Sequence, residues 1–463
     1  MKLNRFLVLP VMLGFSLAAA ADVASLFTNV PPGQAPVLPR RTSMILIVCH
    51  GLGYGDLSCY GQTNYQTPNL DRLAAEGIRF TSYYAGSADG SAGRAVLLTG
   101  ERGITPPATP EGDLPLTAKD ITVAQRLHAA GYHTGYIGEW GLGDRPWENG
   151  FDEFAGCLGS AEGRDYYPPN LRRYAAGLVY DRTNNVHRDF NSHTVVYPNR
   201  DGLKGEFLPD LQLKMAGNFL RNHLPDRFNH YQPFFLVVDF SLPRSASTAA
   251  DEYPVPTDAP FSGEAWPQAA KNRVALLNRL DTGIGLLLEK LAQPLLSNNV
   301  ALFFTSDAGP EKFIDQQLNF LRPAGPFSGH RGELREGGLR VPMLARWPGH
   351  IPAGQTSDLP WAAWDFAPTA LEIGLVPQPP ELSGTSVMPA LFGLATTNRA
   401  ETLTWNLPGA TPARAARLDR WKVIQTGTNA PEMFDLGVDP LEKTNTPNAD
   451  VAAKFAALPQ ASD

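Results

Sequence analysis

Met44-Ile45-Leu46-Ile47-Val48-Cys49 is an unbroken apolar run that ends at the glycine-rich loop Gly51-Leu52-Gly53. Such a run, bounded by a turn, reads as a strand buried on both faces, the form strands take in parallel sheets. Outward from it, Thr67-Pro68-Asn69-Leu70-Asp71-Arg72-Leu73 carries an N-cap residue, proline at the first helical position and leucines at helical spacing. Gly77 closes that helix and Ile78-Arg79-Phe80 opens the next strand. The alternation repeats: 118–130 reads as helix before a strand at 132–137, and 268–292 as a long amphipathic helix before Val300-Ala301-Leu302-Phe303-Phe304-Thr305. The pattern predicts an α/β fold, a mostly parallel sheet with helices on both faces. Chemistry is then expected at the carboxyl ends of the strands, in the loops after Val48, Ile137, Phe240 and Thr305. Short strands such as Trp421-Lys422-Val423-Ile424 predict a small C-terminal α+β domain over 396–463, behind a main domain over 22–395.

Composition narrows the function. Of 463 residues, 43% are hydrophobic and 18% charged, enough to fill a large core and to exclude a disordered or fibrous chain. Lys plus Arg number 39 against 46 Asp plus Glu, so the net charge of −7 lacks the basic surplus of a nucleic-acid binder. Lys2 and Arg5 precede the apolar stretch Phe6 to Leu17 and the small residues Ala18-Ala19-Ala20-Ala21. That stretch is shorter than the roughly 20 residues of a membrane span and reads as a secretory signal over 1–21. A secreted or periplasmic protein with no transmembrane segment is expected. Cys49, Cys59 and Cys157 cannot all pair and read as buried free thiols. His128, His133, His187, His193, His223, His230, His330 and His350 match no spaced ligand motif. They read as surface or loop residues, His330 beside Arg331 being the nearest to an exception.

Gly53-Tyr54-Gly55-Asp56-Leu57, Thr67 to Ala74 with Gly77-Ile78-Arg79-Phe80, and Arg94-Ala95-Val96-Leu97-Leu98-Thr99-Gly100 resemble motifs of the secreted, arylsulfatase-like sulfatases of the alkaline phosphatase superfamily. The resemblance continues in order through Gly150-Phe151-Asp152, Phe304-Thr305-Ser306-Asp307, Arg335-Glu336-Gly337-Gly338-Leu339-Arg340-Val341-Pro342, Arg346-Trp347-Pro348-Gly349 and Asp365-Phe366-Ala367-Pro368-Thr369. It ends at Met433-Phe434-Asp435-Leu436 and Asp439-Pro440. The resemblance implies metal-assisted hydrolysis of sulfate esters. In that family an Asp-Asp pair and an Asp-Asn pair hold calcium, and a Cys or Ser matured to formylglycine attacks sulfur. Two lysines and two histidines bind the sulfate and handle protons.

At the matching positions this chain departs from the family. His50-Gly51 stands for the Asp-Asp pair and Asp307-Ala308 for the Asp-Asn pair. The nucleophile position, four before Arg94, is Gly90, which has nothing to oxidise. The Lys-Trp-His motif reads Glu139-Trp140-Gly141, the Pro-His motif Pro243-Arg244, and the last lysine is Arg331. Ser91 remains a candidate nucleophile, but a helical residue one step along points about 100° away. His50, Asp89 and Asp307 remain candidate ligands for a transition metal. Arg94, Arg244 and Arg331 are candidate anion-binding groups, with Glu139 their charge partner.

Two readings of function stay open at this level. The first is a pseudo-sulfatase that needs neither calcium nor formylglycine and binds a sulfated glycan or other small anionic ligand. The second is an active sulfuric ester hydrolase with an atypical nucleophile and metal site. Nothing in the sequence names a protein partner.

Overall fold

The computed structural model describes residues 41–104, 112–143, 145–181, 186–223, 232–246, 252–293, 296–297, 299–394 and 402–459, without the side chains of 178–190. The expected signal segment lies outside them. The decisive apolar run forms β1 (Ser43–Cys49), buried along its whole length. After it come α1 (Pro68–Ala75), β2 (Ile78–Phe80), β3 (Tyr83–Tyr84), α2 (Gly90–Thr99), α3 (Val123–Ala129), β4 (His133–Glu139) and β5 (Glu153–Cys157). The antiparallel pair β6 (Leu171–Asp181) and β7 (Val186–Val196) leads to α4 (Leu208–Asn222), β8 (Phe234–Phe240), α5 (Gln268–Leu291) and β9 (Val300–Ser306). Then follow α6 (Glu336–Leu339), β10 (Met343–Arg346), β11 (Gln355–Ser357), β12 (Trp361–Ala362), α7 (Phe366–Ile373) and α8 (Met388–Leu391).

The main sheet runs β11-β2-β10-β9-β1-β8-β4-β5-β6-β7. Its centre, β9-β1-β8-β4-β5, is parallel throughout, and antiparallel strands flank it. Side chains alternate across β1 as the two-residue period of a strand requires. Met44, Leu46 and Val48 join the core under α2, α3 and α7; Ile45, Ile47 and Cys49 join the core under α1, α4 and α5. Gly135 of β4 lets α4 approach, since a Cβ there would lie 2.5 Å from the Phe219 ring. Among the described residues, no helix is long and apolar enough to cross a membrane.

Two local expectations need correction. The helix expected over 118–130 spans only Val123–Ala129, because Thr122 and Gln125 form a reciprocal capping box that fixes its start. Thr67 precedes α1, but its hydroxyl bonds the Ser58 amide instead of capping the helix. The free amides of Asn69 and Leu70 go to the Asp281 carboxylate of α5, 3.0 and 2.8 Å away, so the cap comes from a distant element.

The C-terminal strands β13 (Leu403–Leu407), β14 (Ala413–Leu418), β15 (Trp421–Thr426) and β16 (Glu432–Asp435) form an antiparallel sheet, followed by α9 (Ala449–Ala456). One face packs Ala416, Val423 and Met433 against Val451 and Phe455 of α9. The other sends Leu403, Trp405, Ala415, Ile424 and Phe434 into the main core. At that seam Lys422 of β15 lies 3.0 Å from Glu336 of α6, both fully buried, and Glu336 also accepts from Tyr84 and Arg340. Burial alone would raise the Glu336 carboxyl; Lys422, Arg340 and Arg417 outweigh it and bring it down to about 2. A carboxyl lowered in the folded state stabilises above its unfolded value and loses that contribution as pH falls through the folded one. Glu336→Gln should therefore cost roughly 3–5 kcal/mol at pH 7, since Lys422 and Arg340 lose the buried carboxylate they bond. Urea melts should show the gap from wild type closing between about pH 4.5 and 2. An equal gap at every pH would contradict this.

Candidate functional site

The carboxylates of the site come from the carboxyl ends of the parallel strands and from the start of α2, with Arg94 on α2 and Arg244 and Arg331 on loops. His50 follows β1, Glu139 is the last residue of β4, Asp239 is next to last in β8, and Asp307 follows β9. Strand register places Val48 and Gly138 beside Asp239, and Cys49 beside Ser306. Asp89 caps α2 by accepting the Ala92 amide at 3.1 Å, and one turn later Arg94 projects among the strand ends.

Arg94, 2% exposed, faces three carboxylates. Its Nη1 donates to Asp307 at 2.9 Å, its Nε lies 3.5 Å from Asp239, and its Nη2 lies 3.9 Å from Glu139. Arg244 forks onto both oxygens of Glu139 at 3.1 and 2.8 Å, and Ser241 donates a further bond at 3.2 Å. Asp307 also accepts the Gly51 amide at 2.9 Å, and Tyr136 donates to Asp239 at 2.6 Å. His50 Nε2 lies 2.5 Å from Asp239 Oδ1, and Nδ1 3.7 Å from Glu139, though neither contact is aligned as a hydrogen bond. Burial opposes ionisation of Glu139, but Arg244, His50 and Arg94 together hold its carboxyl below the ordinary value. Asp307 is likewise lowered against its burial, by His50, Arg331 and Arg94 and by the Gly51 amide.

Gly90 opens α2 beneath a different pair of groups. A Cβ built there would lie 2.4 Å from Arg331 Nη2 and 2.4 Å from Asp307 Oδ2. Arg331 is partly exposed, its Nη1 has no hydrogen-bond partner among the described residues, and it borders a cleft of about 340 Å³. Asp89, Glu252, Glu311, Lys312 and His330 line the same cleft. The structure thus brings Arg94 and Arg244 together on Glu139, while Arg331 sits beside Asp307 over Gly90 and borders the cleft. The Ser91 hydroxyl is committed to the Gly112 carbonyl at 2.9 Å.

Several expectations are corrected. The candidate ligands His50, Asp89 and Asp307 are each engaged elsewhere: Asp89 caps α2, Arg94 holds Asp307 and His50 turns to Asp239. Cys49 and Cys157 are buried, but Cys59 is partly exposed; burial, then the Asp71 charge, push its thiol up to about 12. His330 pairs with Glu333 at 3.2 Å, and His133 and His223 meet Glu153 instead of standing alone. Sequence reasoning missed Asp239 and Tyr136. A signal for Asp239 was present: it is the one charged residue in Phe234-Phe235-Leu236-Val237-Val238-Asp239-Phe240. A carboxylate inside a buried strand needs a partner.

Comparison with known proteins bears on the family and the fold. The family model described as "Sulfatase" matches residues 42–374, and that of "N-sulphoglucosamine sulphohydrolase, C-terminal" matches 331–458. Human arylsulfatase A is 31% identical over 376 residues, covering 76% of this chain and 68% of that protein. The N-acetylgalactosamine-6-O-sulfatase of Bacteroides thetaiotaomicron is 28% identical, covering 94% of each. The chain belongs to the sulfatase family. Two solved structures share the fold at lower identity. Ps i-CgsB in complex with k-i-k-neocarrahexaose has TM-score 0.70 and 24% identity, over 90% of both chains. BT4656 in complex with its substrate D-glucosamine-2-N,6-O-disulfate has TM-score 0.65 and 22% identity, over 90% of this chain and 95% of that one.

Glu139→Gln should destabilise the protein by about 3–5 kcal/mol, because Arg244 and Arg94 lose a buried counter-charge. Arg244→Met should cost a similar amount, and the double variant much less than the sum, since each single change strands the other's charge. Chemical denaturation of the three variants measures the coupling; additive costs would mean that the pair does not act as a unit.

Proposed function

We propose that this chain is an exported, catalytically silent member of the sulfatase family whose cleft binds a sulfated glycan or other anionic ligand through Arg331. One observation carries the reading: the space a nucleophilic side chain at position 90 needs is filled by the Arg331 guanidinium and the Asp307 carboxylate. The family's calcium does not suit the groups present. Calcium takes about six to eight oxygen ligands. Of the family's carboxylate and amide ligands Asp307 remains, and its oxygens already accept from Arg94 and Gly51. Glu139 and Asp239 are engaged by Arg244, Ser241 and Tyr136. Guanidinium groups supply positive charge among these carboxylates.

With Arg94 and Arg244 neutralised inside, the guanidinium that faces the cleft is Arg331. It is suited to a sulfate or carboxylate by two-pronged hydrogen bonding. The sulfated substrate of the structural relative BT4656 favours a sulfated ligand here too.

Aryl sulfate incubated with the protein and excess calcium should show no hydrolysis above buffer. Gly90→Cys should not create any, because the new side chain must displace Arg331 and finds neither metal nor maturation context. Turnover that disappears in Asp307→Ala would instead favour an active hydrolase with an atypical site. Sodium sulfate should raise the melting temperature above that in sodium chloride of equal ionic strength, and Arg331→Met should abolish the difference. Equal action of both salts on wild type would remove the anion site from the proposal.

A further inference from the structure

We propose that His133, Glu153 and His223 form a zinc site at the amino ends of the central strands, the end of the sheet away from the arginine cluster. His133 opens β4, Glu153 opens β5, and His223 immediately follows α4. One ligand atom from each lies within 4.8 Å of the others, the one such group of His, Cys, Asp or Glu among the described residues.

The distances suit the ion. His133 Nε2 and His223 Nε2 approach the same oxygen, Glu153 Oε1, at 3.1 and 3.5 Å. Ligand atoms about 2.0–2.1 Å from a tetrahedral zinc stand about 3.3 Å apart. The first contact is a hydrogen bond; the second is longer, with His223 held toward Glu153 by its stacking on Phe219, 4.1 Å between rings. The rings lie 4.3 Å apart, tilted by 32°.

Outer contacts hold both rings. His223 Nδ1 lies 2.8 Å from the Phe219 carbonyl, which can only accept, so Nδ1 carries a proton and Nε2 is the nitrogen turned to the site. His133 Nδ1 faces Asp152 at 3.9 Å, a carboxylate itself fixed by the Thr134 amide and hydroxyl, both at 2.9 Å. The side chains of His133 and His223 are 15% and 14% exposed and that of Glu153 31%, so an ion reaches them from solvent. Two imidazoles and one carboxylate favour zinc over calcium or magnesium, which prefer all-oxygen sets. Water completes the fourth position. The ion would cross-link α4 to the first residues of β4 and β5.

Calorimetry of the metal-stripped full chain with zinc chloride at pH 7 should give one site per chain. His223→Gln and Glu153→Gln should each weaken it roughly 100-fold or more, while His350→Gln, at a histidine stacked on Trp347, leaves it within a few-fold. Because a variant could fold poorly, cobalt(II) added to the wild-type protein supplies a second readout, the strong visible absorption of a tetrahedral site. No stoichiometric zinc site, zinc binding unchanged by both ligand substitutions, or a weak octahedral cobalt spectrum would each overturn the proposal.

Discussion

Arg94 is the charge on which the centre of the molecule is arranged. One guanidinium, rooted in the first turns of α2, reaches Asp307, Asp239 and Glu139 from three different strands. Three buried carboxylates converging on strand ends would repel one another and stay costly to ionise without positive charge between them. Arg94 and Arg244 supply it, while Ser241, Tyr136 and the Gly51 amide satisfy remaining oxygens. Under the proposed reading, these guanidinium groups stand where the family's calcium would be held. Arg331 lies beside this cluster and borders the cleft.

The α/β architecture was legible because burial on both faces leaves a plain signature: Met44–Cys49 is an unbroken apolar run, and helical patterns alternate with further such strands. The family was legible from motifs that hold backbone geometry and not only chemistry. Which groups meet was harder to read. Glu139 and Arg244 are far apart in sequence, and their pairing depends on β4 and β8 lying side by side. Asp239 escaped because it matches none of the family positions compared, although its place in an apolar strand marked it. The cap from Asp281 onto α1 shows the same limit, since a local rule named Thr67 and a distant helix did the work.

The two ends of the parallel strands differ in kind. The carboxyl ends hold opposite charges locked together out of water, whereas the amino ends of β4 and β5 present two imidazoles and a carboxylate within reach of solvent. Single-sequence reading took those histidines as unrelated because residues 133, 153 and 223 share no local spacing. Gly135 allows α4 to lie close enough on β4 for His223 to arrive beside His133.

Whether internal arginines have taken the place of calcium is most directly settled by titrating the stripped protein with calcium chloride in a calorimeter, wild type beside Asp307→Ala. The account predicts no stoichiometric heat in either protein at millimolar calcium. A one-to-one calcium site in the wild type that vanishes in Asp307→Ala would contradict it and return the chain to the metal-dependent members of its family.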